Sequence, residues 1–308
     1  VREPFGDADI EARDMTVGVT LRLLAVMGLW ASCFPLVTIG LGLAPHLAFA
    51  AMRAALAGLC LLVLGAFFRR PLPRGARTWG LILLVGLGAS TLGFFGMFHA
   101  AEFVSPGVAT VIYNAQPLLA AILAHAFLDE RLKMLGKAGL VAGFGGIIAI
   151  AWPGLATGAA SGYALGIAYV SLAAAGEAVG NVTMKHLPDE SDAIMAMGLQ
   201  LLLGALPLVL LSTWTEDISS ITWNENFLII LVVLSVFGTS LPFWLWFATL
   251  KQVELNQANA FRFLIPLFGL VIGATFFQER FGWIEATGAA LILMGIALVQ
   301  GDTRGRIR

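Results

Sequence analysis

A chain of 308 residues that is 59% hydrophobic and only 12% charged, with mean hydropathy +0.88 and net charge −1, cannot fold as a water-soluble domain, which carries about 25% charged residues. The expected partners are the lipid bilayer and a small-molecule substrate, with no nucleic acid. Cys33 and Cys60 both fall in apolar stretches and read as buried thiols, not as a disulfide or metal pair.

In chain order, residues 1–19 form a polar tail whose Glu3, Asp7, Asp9, Glu11 and Asp14 do not fit a secretory signal. Apolar windows of the length that crosses a hydrocarbon core then follow at 20–41, 46–68, 78–99, 106–127, 135–152, 161–185, 191–213, 227–248, 257–278 and 284–301. They lack the alternation of lipid-facing strands, so the expected fold is an all-α membrane protein of ten transmembrane helices. With the amino terminus inside, 15 of the lysines and arginines lie on the cytoplasmic side and only Arg280 lies outside, while Arg53 and Arg262 remain within spans. Both termini are therefore expected in the cytoplasm, with the acidic loop of Glu216, Asp217 and Glu225 facing outward.

A shift of 149 positions aligns residues 90–149 with 239–298 without a gap. Leu92, Phe94, Phe98, Pro117, Phe127, Glu130, Arg131, Gly139 and Gly146 recur as Leu241, Phe243, Phe247, Pro266, Phe276, Glu279, Arg280, Gly288 and Gly295. The chain thus reads as two five-helix repeats, 20–152 and 161–301, joined by an external linker 153–160 and followed by a basic tail 302–308. Five is odd, so the second repeat enters the membrane inverted, a device by which secondary transporters exchange inward-open and outward-open shapes.

A proline-containing fourth helix ending in Glu130-Arg131, its counterpart ending in Glu279-Arg280, and a glycine-rich helix after each resemble the EamA-type exporters of the drug/metabolite transporter superfamily. The resemblance runs over residues 20–301, and within the family the closest likeness is to the YddG-type aromatic amino acid exporters, although motifs this short specify the family well and the substrate poorly. It implies a multi-pass protein of the bacterial cytoplasmic (inner) membrane that exports small metabolites, amino acids and aromatic ones among them. Other metabolites or a drug cation stand as alternative cargo, and an intramembrane enzyme or receptor as alternative classes.

Polar groups inside spans are costly and mark a lumen or a helix interface. Thr110, Tyr113, Asn114 and Pro117 share one face of the fourth helix; Asn259, Arg262 and Pro266 recur in the ninth. Thr91 and Phe95 of the third helix match Ser240 and Trp244 of the eighth. Glu177 and Asn181 share a face of the sixth, and Glu177 is the one carboxylate deep within a span, a candidate proton carrier or a structural hydrogen-bond acceptor. Trp30 adds an aromatic wall. Arg53 and Arg262 are each able to meet a substrate carboxylate or Glu177. Arg53, two turns from a span end, is expected to snorkel, which leaves Arg262 as the substrate-binding candidate. Pro117 and Pro266 are expected to kink their helices. Trp244 and Trp246 lie on a tryptophan-rich helix that can instead face lipid. No histidine pair has metal-ligand spacing, and no nucleophile, metal or phosphate-loop motif is present, so neither an enzyme nor a cofactor is expected. The small-residue pairs Gly139/Gly143, Gly176/Gly180 and Gly269/Gly273 are expected to bring helices together.

Overall fold

A computed structural model describes residues 17–127, 134–157, 162–184, 186–188, 191–250, 261–262 and 264–304, and among these it is helical with no strand. Eight helices are long and apolar enough to cross a membrane: α1 Val17–Gly40, α2 His46–Phe67, α3 Ala76–Phe103, α4 Pro106–Leu123, α5 Met134–Pro153, α6 Tyr163–Met184, α7 Ala193–Thr215 and α8 Glu225–Thr249. Two shorter apolar helices follow, α9 Leu264–Phe276 and α10 Trp283–Val299. Eight of the ten expected spans thus meet the length and hydropathy of a crossing helix. The amino-terminal part of the ninth, with Asn259, lies outside the described residues, as do Glu130 and Arg131.

Local chemistry sets several helix starts. Pro106 opens α4, where its missing N–H leaves no donor stranded. Asp192 caps α7 by accepting from the Ile194 and Met195 amides at 3.0 and 3.1 Å, and Asn224 caps α8 by accepting from the Phe227 amide at 2.8 Å.

The packing partners exchange when each helix is replaced by the one five positions on. Helix α2 packs on α7, α5 on α10 and α4 on α9, whereas the contacts of α6 with α3 and α4 are mirrored by those of α1 with α8 and α9. The α5–α10 seam is built from glycines. A Cβ at Gly139 would stand 2.7 Å from the Gly295 carbonyl oxygen, and one at Gly146 would stand 2.5 Å from that of Gly288. Only hydrogen fits in these places, so the two backbones touch directly, and the order of the contacts makes the pair antiparallel.

Helices α3 and α8 carry matching defects, π-helical turns at Gly86–Leu92 and Val233–Ser240. Each hosts hydroxyl groups that bond backbone. Thr91 donates to the Gly204 carbonyl of α7 at 2.7 Å, while Ser240 donates to Ala57 of α2 and to Ser235 five residues back, both at 3.0 Å. Outward-facing side chains are large and apolar, among them Val141, Ile148 and Phe67, and Trp152, Trp214, Trp223 and Trp283 stand exposed near helix ends where a bilayer has its interfaces.

The two ends of the bundle differ. At the end carrying the α1–α2, α3–α4, α7–α8 and α9–α10 loops, carboxylates bridge helices. Glu216 accepts from the Leu47 and Ala48 amides that open α2, at 2.8 and 2.9 Å. Glu279 accepts from the Ser105 hydroxyl and the Gly107 amide that open α4, at 2.8 and 3.0 Å. The Thr222 amide donates to Leu43 at 2.8 Å, and His46 Nε2 faces Glu102 Oε2 at 3.2 Å. At the opposite end the described residues include one ion pair, Arg70 with Asp192 at 3.7 Å.

Candidate functional site

Between the two sets of five helices lies a cavity of about 530 Å³, within the range of small-molecule sites. It draws on the carboxy-terminal halves of α6, α8 and α10 and the amino-terminal half of α7, so it sits toward the end opposite the Glu216 and Glu279 bridges.

Most of the sequence candidates meet there. Trp30, Tyr113, Asn114, Glu177, Asn181 and Arg262 line it, and Pro117 and Pro266 face it from α4 and α9. Helix α4 breaks at Asn114 and Ala115 and resumes at Gln116, just before Pro117. Asn114 Nδ2 donates to the Thr110 carbonyl at 2.8 Å, the same oxygen that accepts the Asn114 backbone amide at 3.1 Å, so the side chain braces the last turn before the break.

Four candidates stand elsewhere, for one physical reason. Thr91 and Ser240 spend their hydroxyls on neighbouring backbone, Phe95 stacks on His99 at 4.3 Å between ring centroids, and Trp244 packs into the apolar core; none lines the cavity. All lie in or just beyond the π turns, where the i→i+5 pattern adds a residue per turn and rotates every later side chain away from the face that 3.6-residue counting assigns. The same rotation brings Trp246, on the helix read as able to face lipid, to the cavity wall with 7% exposure.

Arg53 also departs from expectation. It does not snorkel: it is 3% exposed, lines the cavity and is clasped by three other helices. Its Nη1 approaches the Met97 sulfur at 3.3 Å, its Nη2 approaches Cys33 Sγ and Thr239 Oγ1 at 3.3 Å each, and its Cζ stands 4.5 Å from the centre of the Phe94 ring. These partners sit far from α2 in sequence, which is why a reading confined to that helix misses them.

The charges are not evenly matched. Glu177 lies close to Tyr113 and Asn181 and feels the charge of Arg262, whose Cζ stands 5.6 Å from Trp30 and 5.8 Å from Trp246. Asn181 reaches on to Gln116 Oε1 at 3.0 Å. A second amide and hydroxyl pair closes the α3–α7 side, with Ser90 donating to Gln200 Oε1 at 2.8 Å. Two arginines and one carboxylate thus line the cavity among aromatic walls, and of the two only Arg262 acts on Glu177. Such a chamber can hold an amphiphile with a charged head and a ring or chain; among the described residues it contains no cluster able to hold a metal.

The sequence model of the EamA-like transporter family matches this chain twice, at residues 17–152 and at 164–300. An Arabidopsis thaliana "WAT1-related protein", chloroplastic, is 29% identical over 82% of the chain, which spans only 62% of that protein's length. "Uncharacterized transporter YvbV" of Bacillus subtilis is 30% identical over 93% of the chain and 92% of its own. A "Probable amino-acid metabolite efflux pump" of Escherichia coli is 25% identical over 89% and 91%. One solved structure is alike in fold, with a TM-score of 0.62 at 20% identity over 91% of this chain and 96% of that one.

Proposed function

The chain belongs to the EamA-like transporter family, and we propose that it is a secondary transporter exporting amino acids and related small metabolites, aromatic ones included, through the central cavity. The family and the named relatives are transporters and not enzymes, and the helices are those of a multi-pass membrane protein. In this reading ten helices form two inverted five-helix repeats, both termini lie in the cytoplasm, and the membrane is the bacterial inner one. Support for the repeat comes from the exchange of packing partners, the paired π turns and the two family matches. The observation that carries the function is the cavity at the crossing of the repeats, with Glu177, Arg262, Tyr113 and Asn181 inside and aromatic walls around them. The relative named as an amino-acid metabolite efflux pump supports the substrate class.

The asymmetry of the ends supports alternating access as the mechanism. The carboxylate bridges of Glu216 and Glu279 close one mouth in this state, and their release, with closure at the other, turns the same cavity to the opposite side. Uptake of labelled phenylalanine and leucine into proteoliposomes, with and without a pH gradient, tests the proposal. Saturable uptake that unlabelled substrate competes away is the expected result, and a response to the gradient makes Glu177 the residue to test as the proton carrier. Absence of uptake for every amino acid contradicts the substrate class.

A further inference from the structure

We propose that Arg53 is the carboxylate-binding residue of the cavity, so that the cargo is restricted to molecules carrying a carboxylate, and amines or cationic drugs lacking one are excluded.

Every polar contact that the structure gives the Arg53 guanidinium is neutral and weak. Met97 offers a thioether. Cys33 offers a thiol that itself donates to the Gly238 carbonyl at 3.4 Å, so its sulfur serves the arginine only as an acceptor. Thr239 offers a hydroxyl that donates onward to the Leu234 carbonyl at 3.1 Å and accepts from Arg53 Nε and Nη2 at 3.4 and 3.3 Å. Among the described residues Arg53 forms no ion pair, and it is not among the groups whose charge acts on Glu177. A guanidinium 97% buried without a counter-charge is a standing cost, tolerated where an arriving anion removes it. The planar fork of five N–H groups matches a carboxylate in two parallel hydrogen bonds, a geometry that a thioether, a thiol and a hydroxyl do not use up.

The surroundings define the remainder of the ligand. The Phe94 ring lies under the guanidinium, Phe34 stands edge-on to Tyr113 at 5.7 Å, and Tyr113 lies within electrostatic range of both Arg53 and Glu177. A zwitterion therefore fits with its carboxylate on Arg53, its ammonium toward Glu177 and Tyr113, and its side chain against the aromatic walls. Arg262, already set against Glu177, is not free in the same way.

The assignment deepens the transport reading but is tested without transport. Cys33 Sγ, 3.3 Å from Arg53 Nη2, reports occupancy of the site when Cys60 is replaced by alanine. The rate at which a small maleimide alkylates Cys33 is measured with phenylalanine, 3-phenylpropionate, phenethylamine and phenylalanine methyl ester. The two carboxylates are expected to slow alkylation at least fivefold and the amine and ester not at all. Arg53→Gln is expected to abolish protection, and Arg53→Lys to restore a part of it. Equal protection by amine and carboxylate, protection that survives Arg53→Gln in a folded variant, or protection by none of the four overturns the assignment. Protection by 3-phenylpropionate alone leaves Arg53 in its role and turns the cargo from amino acids to other carboxylates. Protection by both carboxylates with no proteoliposome uptake overturns the transport reading alone.

Discussion

The two arginines inside this bundle have the same charge and opposite circumstances. Arg262 stands over Trp30 and Trp246 with Glu177 to offset it, whereas Arg53, on a helix that looked from its sequence like an ordinary apolar span, is held by two sulfurs and a hydroxyl. The difference teaches that burial alone does not identify a binding cation. What identifies it is the missing counter-charge, and that is a property of neighbouring helices, not of the helix that carries the residue.

The contrast can be broken most severely at Glu177. Glu177→Ala removes the charge that offsets Arg262 and is expected to give the largest drop in Tm in detergent, together with loss of uptake. An unchanged Tm would mean that Arg262 needs no partner. Thr239→Val acts on the other arginine by removing the one oxygen it touches, and about 1.5 kcal/mol of stability should go with it. Carboxylate binding should survive this change, since the fork remains; a loss as complete as in Arg53→Gln would make Thr239 the binding group instead.

Outside the cavity, Thr91→Ala removes a hydroxyl that serves only the Gly204 carbonyl, and a fall of about 1 kcal/mol in stability with unaltered KM is the expected pattern. A raised KM would put Thr91 back among the binding residues. Asn114→Ala should change stability least, by about 0.5 kcal/mol, while lowering uptake several-fold because the break in α4 loses its side-chain support. Insertion into the membrane should be intact, and full uptake would remove Asn114 from the pathway.

Much of this was legible in the sequence because it rests on composition and spacing. The expected ends of the first three spans, 20–41, 46–68 and 78–99, fall within four residues of Val17–Gly40, His46–Phe67 and Ala76–Phe103. Gly139 and Gly146 meet Gly295 and Gly288, the residues that a shift of 149 positions relates to Gly146 and Gly139, so the repeat seen in letters reappears as a seam. The face of α4 was readable as well, since Thr110 and Tyr113 precede its break and Asn114 opens it, which keeps their helical spacing.

What sequence could not give has two causes. The π turns at Gly86–Leu92 and Val233–Ser240 rotate α3 and α8 by an amount that no periodicity reveals, and they moved Phe95 and Trp244 off the lumen while bringing Trp246 to it. The glycines, serine and threonines clustered there were the available signal. Arg53 was misread for a different reason: two turns from a helix end, it is able to snorkel, and only Cys33, Met97 and Thr239, each on another helix, hold it inward.

In this proposal the uncompensated Arg53 selects the cargo by its carboxylate. Calorimetric titration of the purified protein with 3-phenylpropionate and with phenethylamine, in the wild type and in Arg53→Gln, tests it most directly. Saturable binding of the carboxylate to the wild type is expected, with binding at least tenfold weaker in the variant, equivalent to about 1.4 kcal/mol, and no binding of the amine to either. Carboxylate binding of equal strength in a folded Arg53→Gln protein would contradict it.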